Sequence, residues 1–211
     1  MDGNNRWSKK KNLNIKKSYN EGVKNLIKIS SACFFKHNID YVSAFALSSH
    51  NLLRSKKFVS TIIKILESYL DEFLINRSKY HFNIIFIGDL TIFNKKIKVK
   101  MEEINNNNSY NKNLIIALNY SGTKDILNAV LKLKNTKNSD LNLNNYLSTS
   151  IYPNPDILIR TGGFQRLSDF FLYQLSFTEF FFSKTLWPDF KISSLNSIID
   201  KFSKIEKKFG K

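Results

Sequence analysis

The chain has little of what usually ties a small protein together or bends it. Its 211 residues include one cysteine, three prolines, seven glycines and three histidines. A lone cysteine, Cys33, excludes an internal disulfide and the usual cysteine-based zinc site. It falls in an apolar helical pattern and reads as a core residue. His37, His50 and His81 show no metal-ligand spacing. No G-x-G-x-x-G follows a strand pattern and no G-x-x-x-x-G-K-[ST] occurs, which removes the dinucleotide and P-loop nucleotide sites. No uninterrupted apolar run reaches the roughly 18 residues needed to span a bilayer. The Phe-rich stretch 170–182 is broken by Tyr173, Gln174, Ser176, Thr178 and Glu179. No apolar signal core opens the chain, so the expected location is the compartment of synthesis, the cytoplasm.

Acidic residues are scarce too: 17 Asp and Glu stand against 33 Lys and Arg, a formal charge of +16. Such an excess ordinarily points to nucleic acid, an anionic membrane or a phosphorylated substrate. Here Lys, Asn, Ile and Phe are abundant together while Ala, Gly and Pro are rare, as an AT-rich coding sequence produces. Much of the lysine excess reflects that bias, and nucleic-acid binding is not expected. A hydrophobic content of 42% over this length suits one sizeable core and a single domain.

Short apolar runs alternate with helical patterns along the chain. Strands are expected over Tyr41–Leu47, Phe82–Ile87, Leu114–Leu118 and Asp156–Thr161, each apolar without strict polar alternation. Helices are expected over Tyr19–Lys36, Phe58–Ile75, Phe93–Ile104, Lys124 to about Leu133, and from a cap at Ser193 or Ser194 through Ile205. Asp125 suits the first turn of its helix. The segment Ser8–Lys17 reads as basic and solvated, the Asn105–Asn108 tract as a surface loop, and 135–150 as a long connection with a short helix inside. The implied fold class is α/β, a single domain with a mainly parallel central sheet flanked by helices. Polar clusters at Asp2–Arg6, Ser48–Asn51, Asn119–Gly122 and Arg160–Ser168 then converge on one edge of the sheet, where open α/β sheets bind ligands.

The richest stretch is Pro155–Phe190. Arg160 and Arg166 flank a strand-to-loop transition at Thr161-Gly162-Gly163, and two guanidiniums in a cleft imply an anion, best a phosphate. Glu179 lies within the apolar run Phe177–Phe182, where a carboxylate needs a compensating cation or donor. The alternative is an arginine–carboxylate salt bridge in a loop. Likewise, the apolar face of Phe58–Ile75 is either plain core or the wall of a hydrocarbon site.

These segments resemble the cis-prenyltransferase family. Met1–Trp7 is similar to its M-D-G-N-x-R-W motif and Leu47–Arg54 to its F-S-x-E-N-W-x-R segment. Pro155–Phe190 resembles its C-terminal signature, and Ile87–Asp89 and Asn119–Gly122 add shorter matches. The resemblance spans essentially the whole chain, 1–211, as one catalytic domain. It implies condensation of isopentenyl diphosphate with an allylic diphosphate, such as farnesyl diphosphate, in cis, to make a polyprenyl diphosphate. It further implies Mg²⁺ held by Asp2 and Glu179, with Glu179 acting across a homodimer interface, and an allylic diphosphate cradled by Gly3, Asn4, Asn5 and Arg6 beside Trp7. Arg54 lies at the substrate site, and Ser48, Ser49 and Asn51 near the reacting carbons. Asn51 is the family residue assigned to proton removal, although an amide is a poor base and positioning suits it better. Arg160, Arg166 and Ser168 hold isopentenyl diphosphate, and Phe58–Ile75 lines the tunnel for the growing chain. The polyprenyl product implies peripheral contact with a membrane.

The departures matter as much. The family strand before M-D-G is absent, leaving Asp2 without a scaffold of its own; a start codon set downstream of the true one accounts for this simply. The family arginine and histidine after the first motif fall at Ile15 and Tyr19. Leu52 replaces the usual tryptophan, His50 the glutamate, and Phe164 the common glutamate before Gln165-Arg166. A non-catalytic partner subunit of such an enzyme is the alternative function.

Overall fold

The computed structural model describes residues 1–106, 109–136 and 142–206. Three strands, β1 (Tyr41–Ser48), β2 (Asn83–Ile87) and β3 (Asn113–Tyr120), form a parallel sheet in the order β1-β3-β2. A second parallel pair joins β4 (Ile157–Arg160) to β5 (Glu179–Phe182). The helices are α1 (Asn4–Lys10), α2 (Ile15–Ser31, running on as a π turn over Ala32–Lys36), α3 (Lys56–Ile75), α4 (Lys95–Asn105), α5 (Gly122–Lys134) and α6 (Ile192–Phe202). Side-chain caps start several of them: Asn14, Ser55, Asn94 and Ser121 accept from the N–H groups of Lys17, Phe58, Ile97 and Lys124.

Both faces of the sheet are covered, which is why its strands read as continuous apolar runs. Along β3, Leu114 and Leu118 pack into one core with residues of α2, α3, α4 and α6. Ile115 and Ala117 pack into the other with Tyr120, Phe171 and Leu175. The small pair straddles the same two cores, with Ile159 against the first and Leu158 against the second. The two sheets therefore lie in one layer, although no ladder joins them. Aromatic side chains bridge the junction: Phe45 of β1 stacks on Phe170 with ring centroids 4.7 Å apart, and Phe170 on Phe171 at 4.0 Å.

The parallel α/β expectation holds, with local corrections. The strand Glu179–Phe182 is not visible as such in the sequence, because its apolar run continues without a break from the preceding turn. The segment 8–17 is not wholly solvated: α1 continues through Lys10, and Ser8 is buried. The last helix begins at Ile192 with Lys191 at its cap, without a side-chain cap from Ser193 or Ser194, and ends at Phe202. Asn105 belongs to α4 and not to a surface loop, while Asn107 and Asn108, like 137–141 of the long connection, lie outside the described residues. Cys33 is 5% exposed in the core, and burial pushes its thiol up to about 11. Among the described residues no helix is long and apolar enough to cross a membrane.

Strand β2 is an edge strand, so its outward N–H groups need partners other than a ladder. Asn105, at the end of α4, supplies one: its Oδ1 accepts from the Phe86 N–H at 2.9 Å. Asn105→Ala strands that donor beneath the helix. The variant should lose about 1–3 kcal/mol of stability, measured by urea unfolding.

Candidate active site

The site is built where β4 ends. After Arg160 the chain turns through Thr161, which is 1% exposed, and Gly162, whose φ of 87° is left-handed. A Cβ on Gly162 would lie 2.5 Å from Arg6 Nη2 and 3.1 Å from the Asp2 carbonyl oxygen, so the start of the chain passes directly over this glycine. Thr161 holds it there. The Asp2 N–H donates to Thr161 Oγ1, and that hydroxyl donates to the Asp2 carbonyl, each at 3.1 Å. The Trp187 N–H reaches the same carbonyl at 3.0 Å. Asp2 is thus scaffolded by the loop after β4, contrary to the expectation from the missing strand. The Met1 α-amine is buried, and desolvation outweighs the nearby Asp2 carboxylate to bring it down to about 6.

The Asp2 carboxylate bridges two cations, with Arg6 Nη2 at 3.3 Å from one oxygen and Arg160 Nη2 at 3.1 Å from the other. Arg160 Nη1 donates to Ser168 Oγ at 2.8 Å and to the carbonyl oxygen of Arg166. Its Nε is buried with no partner among the described residues. Arg6, Arg160, Arg166 and Ser168, chosen from two distant motifs, therefore meet at one place.

Ser168 and Asp169 adopt left-handed backbone angles, φ 53° and 65°, a conformation uncommon for such residues and one that needs outside support. The N-terminus of α5 provides it. Asp169 accepts from the Thr123 N–H at 2.9 Å, from Thr123 Oγ1 at 2.8 Å and from Ser121 Oγ at 2.5 Å, and its own carbonyl accepts from the Gly122 N–H at 2.7 Å. Burial works to raise the Asp169 carboxyl, but the bonds from Ser121 and Thr123 outweigh it and the net shift is downward. Deeper in the molecule, Asp125 is more than a favourable charge at a helix start. Buried, it accepts from Tyr120 Oη at 2.8 Å, from the Ser148 N–H at 2.9 Å and from Ser148 Oγ at 3.0 Å, pinning the 143–150 segment to α5.

Other sequence-chosen residues sit around this cluster in different states. Gly3, buried with φ 113°, caps α1 against Leu186. Asn4 lines the neighbouring cavity, its Oδ1 buried with no partner among the described residues. The Asn5 carbonyl accepts from Ser8 Oγ, and the Trp7 ring nitrogen is buried and unpaired among the described residues. Ser48 and Asn51 bond each other: the Asn51 N–H donates to Ser48 Oγ and the Ser48 N–H to Asn51 Oδ1, both at 3.2 Å, closing the turn that contains Ser49. Arg54 stacks over Phe58 at 5.0 Å. Glu179 is not brought to Asp2. It pairs with Ile157 at the start of the β4–β5 ladder, whereas Arg160 pairs with Phe182 at its end, about 10 Å away along the strands. Among the described residues it ion-pairs with neither Arg160 nor Arg166, so the salt-bridge alternative is not what the chain forms.

A cavity of about 320 Å³ opens beside the cluster, with Met1, Asn4 and Tyr19 at one part of its lining and Ile62, Leu66 and Phe73 of α3 along its wall. The apolar face of α3 is thus a cavity wall as well as core. Tyr19 was counted as the loss of a histidine. In the structure it packs edge-on to Phe58 at 6.1 Å on this lining. Burial raises its phenol, Arg54 pulls it down and Asp2 raises it, so it stands within reach of both charges as a neutral hydroxyl. Neither Thr161 nor Asp169 is marked as a site residue by the sequence. A carboxylate directly after Ser168, with no basic neighbour of its own, was the one available signal.

A cluster of guanidiniums beside an apolar cavity suits a ligand with an anionic head and an apolar tail. Residues 1–210 match the undecaprenyl diphosphate synthase family of prenyltransferases. The isoprenyl transferase of Helicobacter pylori is 37% identical over 223 residues, covering 100% of this chain and 94% of that protein. Dehydrodolichyl diphosphate synthase 3 of Arabidopsis thaliana is 35% identical, covering 100% and 74%. The crystal structure of lavandulyl diphosphate synthase from Lavandula x intermedia superposes with a TM-score of 0.89 at 28% identity over 100% of this chain and 95% of that one. The chain belongs to the cis-prenyltransferase family, and its activity is cis-prenyl chain elongation.

The Asp169 bonds give a pH-dependent prediction. Its folded pKa lies below the ordinary value of 3.8, so its stabilisation is fully present above that value and is lost as pH falls through the folded pKa. Asp169→Ala should cost about 1–2 kcal/mol at neutral pH. The difference from the parent should shrink below about pH 4 in urea titrations at several pH values.

Proposed function

We propose that the chain condenses isopentenyl diphosphate with an allylic diphosphate such as farnesyl diphosphate, as one catalytic domain over residues 1–211. What carries this reading is the meeting of Asp2, Arg6, Arg160, Arg166 and Ser168 beside an apolar cavity. The allylic diphosphate lies over the Gly3–Arg6 turn and Trp7, with its hydrocarbon along α3. Arg160, Arg166 and Ser168 hold isopentenyl diphosphate, Arg54 borders the substrate, and Ser48, Ser49 and Asn51 shape the wall near the reacting carbons. As the allylic C–O bond breaks, charge gathers on the departing diphosphate, and fixed guanidiniums lower the energy of that state.

Mg²⁺ commonly binds one or two carboxylates together with substrate phosphate oxygens, and the half-buried Asp2 carboxylate beside the cradle fits such a donor set. Among the described residues no three His, Cys, Asp or Glu side chains gather as a metal site, which suits a metal that arrives with its diphosphate. The ion would neutralise charge on the leaving group. Glu179 would join Asp2 from a second copy of the chain, since β5 is an edge strand with Phe180 and Phe182 exposed beside it. A homodimer follows from that reading, as does transient contact between the apolar product and a membrane.

Incubation with farnesyl diphosphate, labelled isopentenyl diphosphate and Mg²⁺ should give elongated products, abolished by a chelator. No elongation would favour the partner-subunit alternative. Asp2→Ala should lower turnover by about 10²-fold or more with little change in circular dichroism, because the loss falls on the developing charge. Glu179→Ala near parental activity would remove Glu179 from the metal site.

A further inference from the structure

The three guanidiniums of the cradle surround a single aromatic ring. The Cζ atoms of Arg166, Arg6 and Arg160 lie 4.4, 4.9 and 5.8 Å from the centroid of Phe164. All fall within the roughly 6 Å over which a ring quadrupole attracts a cation. Counter-charge is short here. Asp2 serves both Arg6 and Arg160, and Arg166 has no ion pair among the described residues. Like charges so gathered repel, and free side chains would splay apart into water.

We infer that Phe164 is a positioning residue, a cation–π platform that holds three guanidiniums together without neutralising them, and so preforms a site for a diphosphate. The ring attracts each cation and takes none of its N–H donors, so those not engaged by Asp2, Ser168 and the Arg166 carbonyl, the Arg166 guanidinium above all, stay available to phosphate oxygens. A carboxylate at this position would also collect the arginines, but it would occupy their donors and cancel charge. Phenylalanine therefore converts the cluster from an internally paired set into one whose missing partner is the ligand's anion. This deepens the reading of the cluster as the diphosphate site and rests on it.

The test measures binding apart from turnover. The whole protein is titrated calorimetrically with inorganic pyrophosphate, without Mg²⁺ or prenyl substrate, and compared with Phe164→Leu, Phe164→Trp and Phe164→Glu. Leu should weaken pyrophosphate binding about fivefold, Trp should keep it within about twofold of the parent, and Glu should weaken it by more than about tenfold. Phe164 is 42% exposed, so the melting temperatures of all three should stay close to the parent's. In elongation assays Leu should raise the KM for isopentenyl diphosphate with kcat nearly unchanged, and Trp should restore it. Parental pyrophosphate affinity in the Leu variant, equal losses in Leu and Trp, or no binding by the parent would each overturn the inference. A parent that binds pyrophosphate but elongates nothing would refute the catalytic reading and leave the platform standing.

Discussion

Two hydrogen bonds between Thr161 and the main chain of Asp2 join the start of the chain to the end of β4, and the site depends on them. They cost the protein little, since Thr161 is buried and its hydroxyl would need partners anyway. In return they set the Asp2 carboxylate between Arg6 and Arg160, residues 154 positions apart in sequence. Everything else in the cradle hangs from that junction. Arg160 reaches on to Ser168, and Ser168 keeps its left-handed geometry because Asp169 is fastened to the N-terminus of α5. A short chain of polar contacts thus runs from the first residues through β4 to a helix on the covering layer.

The charge distribution follows the same economy. The chain is strongly basic overall, yet the chemistry uses few of its cations. Most lysines lie on exposed helix faces, where ion pairs such as Lys24–Glu21 contribute little. The arginines that matter, in α1, at the end of β4 and in the loop after it, gather around Phe164, and Arg6 and Arg160 share one carboxylate. The loops on which it stands are fixed by bonds to main chain and hydroxyl groups, from Thr161 on one side and the Asp169 carboxylate on the other.

Much of this was legible in the sequence. Continuous apolar runs gave the parallel, doubly covered sheet, and strand ends followed by polar clusters gave the edge on which the site lies. Arg160 and Arg166 could be chosen because two guanidiniums beside a Gly-Gly turn suit an anion, and Ser168 was added by the family resemblance. What could not be read was long-range pairing. Nothing local in Asp2 or Thr161 announces a bond between residues 159 positions apart. Asn105 looked like part of a loop because asparagine is common there, whereas a strand edge 19 residues away claims its side chain. Strand register, which sequence does not show, puts Glu179 at the far end of the β4–β5 ladder from Arg160, so within one chain it stands apart from the cradle, as a role across an interface between two copies requires.

The layer shared by the two sheets has one more consequence. Within each sheet, strands are locked by directional main-chain bonds, but β1 meets the segments on either side of β4 through aromatic side-chain packing, Phe45 on Phe170 and Tyr41 against Tyr152. Packing of that kind tolerates small displacements that a ladder does not. Deuterium exchange should therefore be faster at the amides of β4 and β5 than at those of β3, which is paired on both sides. Arg160 stands at the end of β4, so the cradle is carried by the smaller of the two ladders and tied to the rest of the molecule through Asp2 and Ser168.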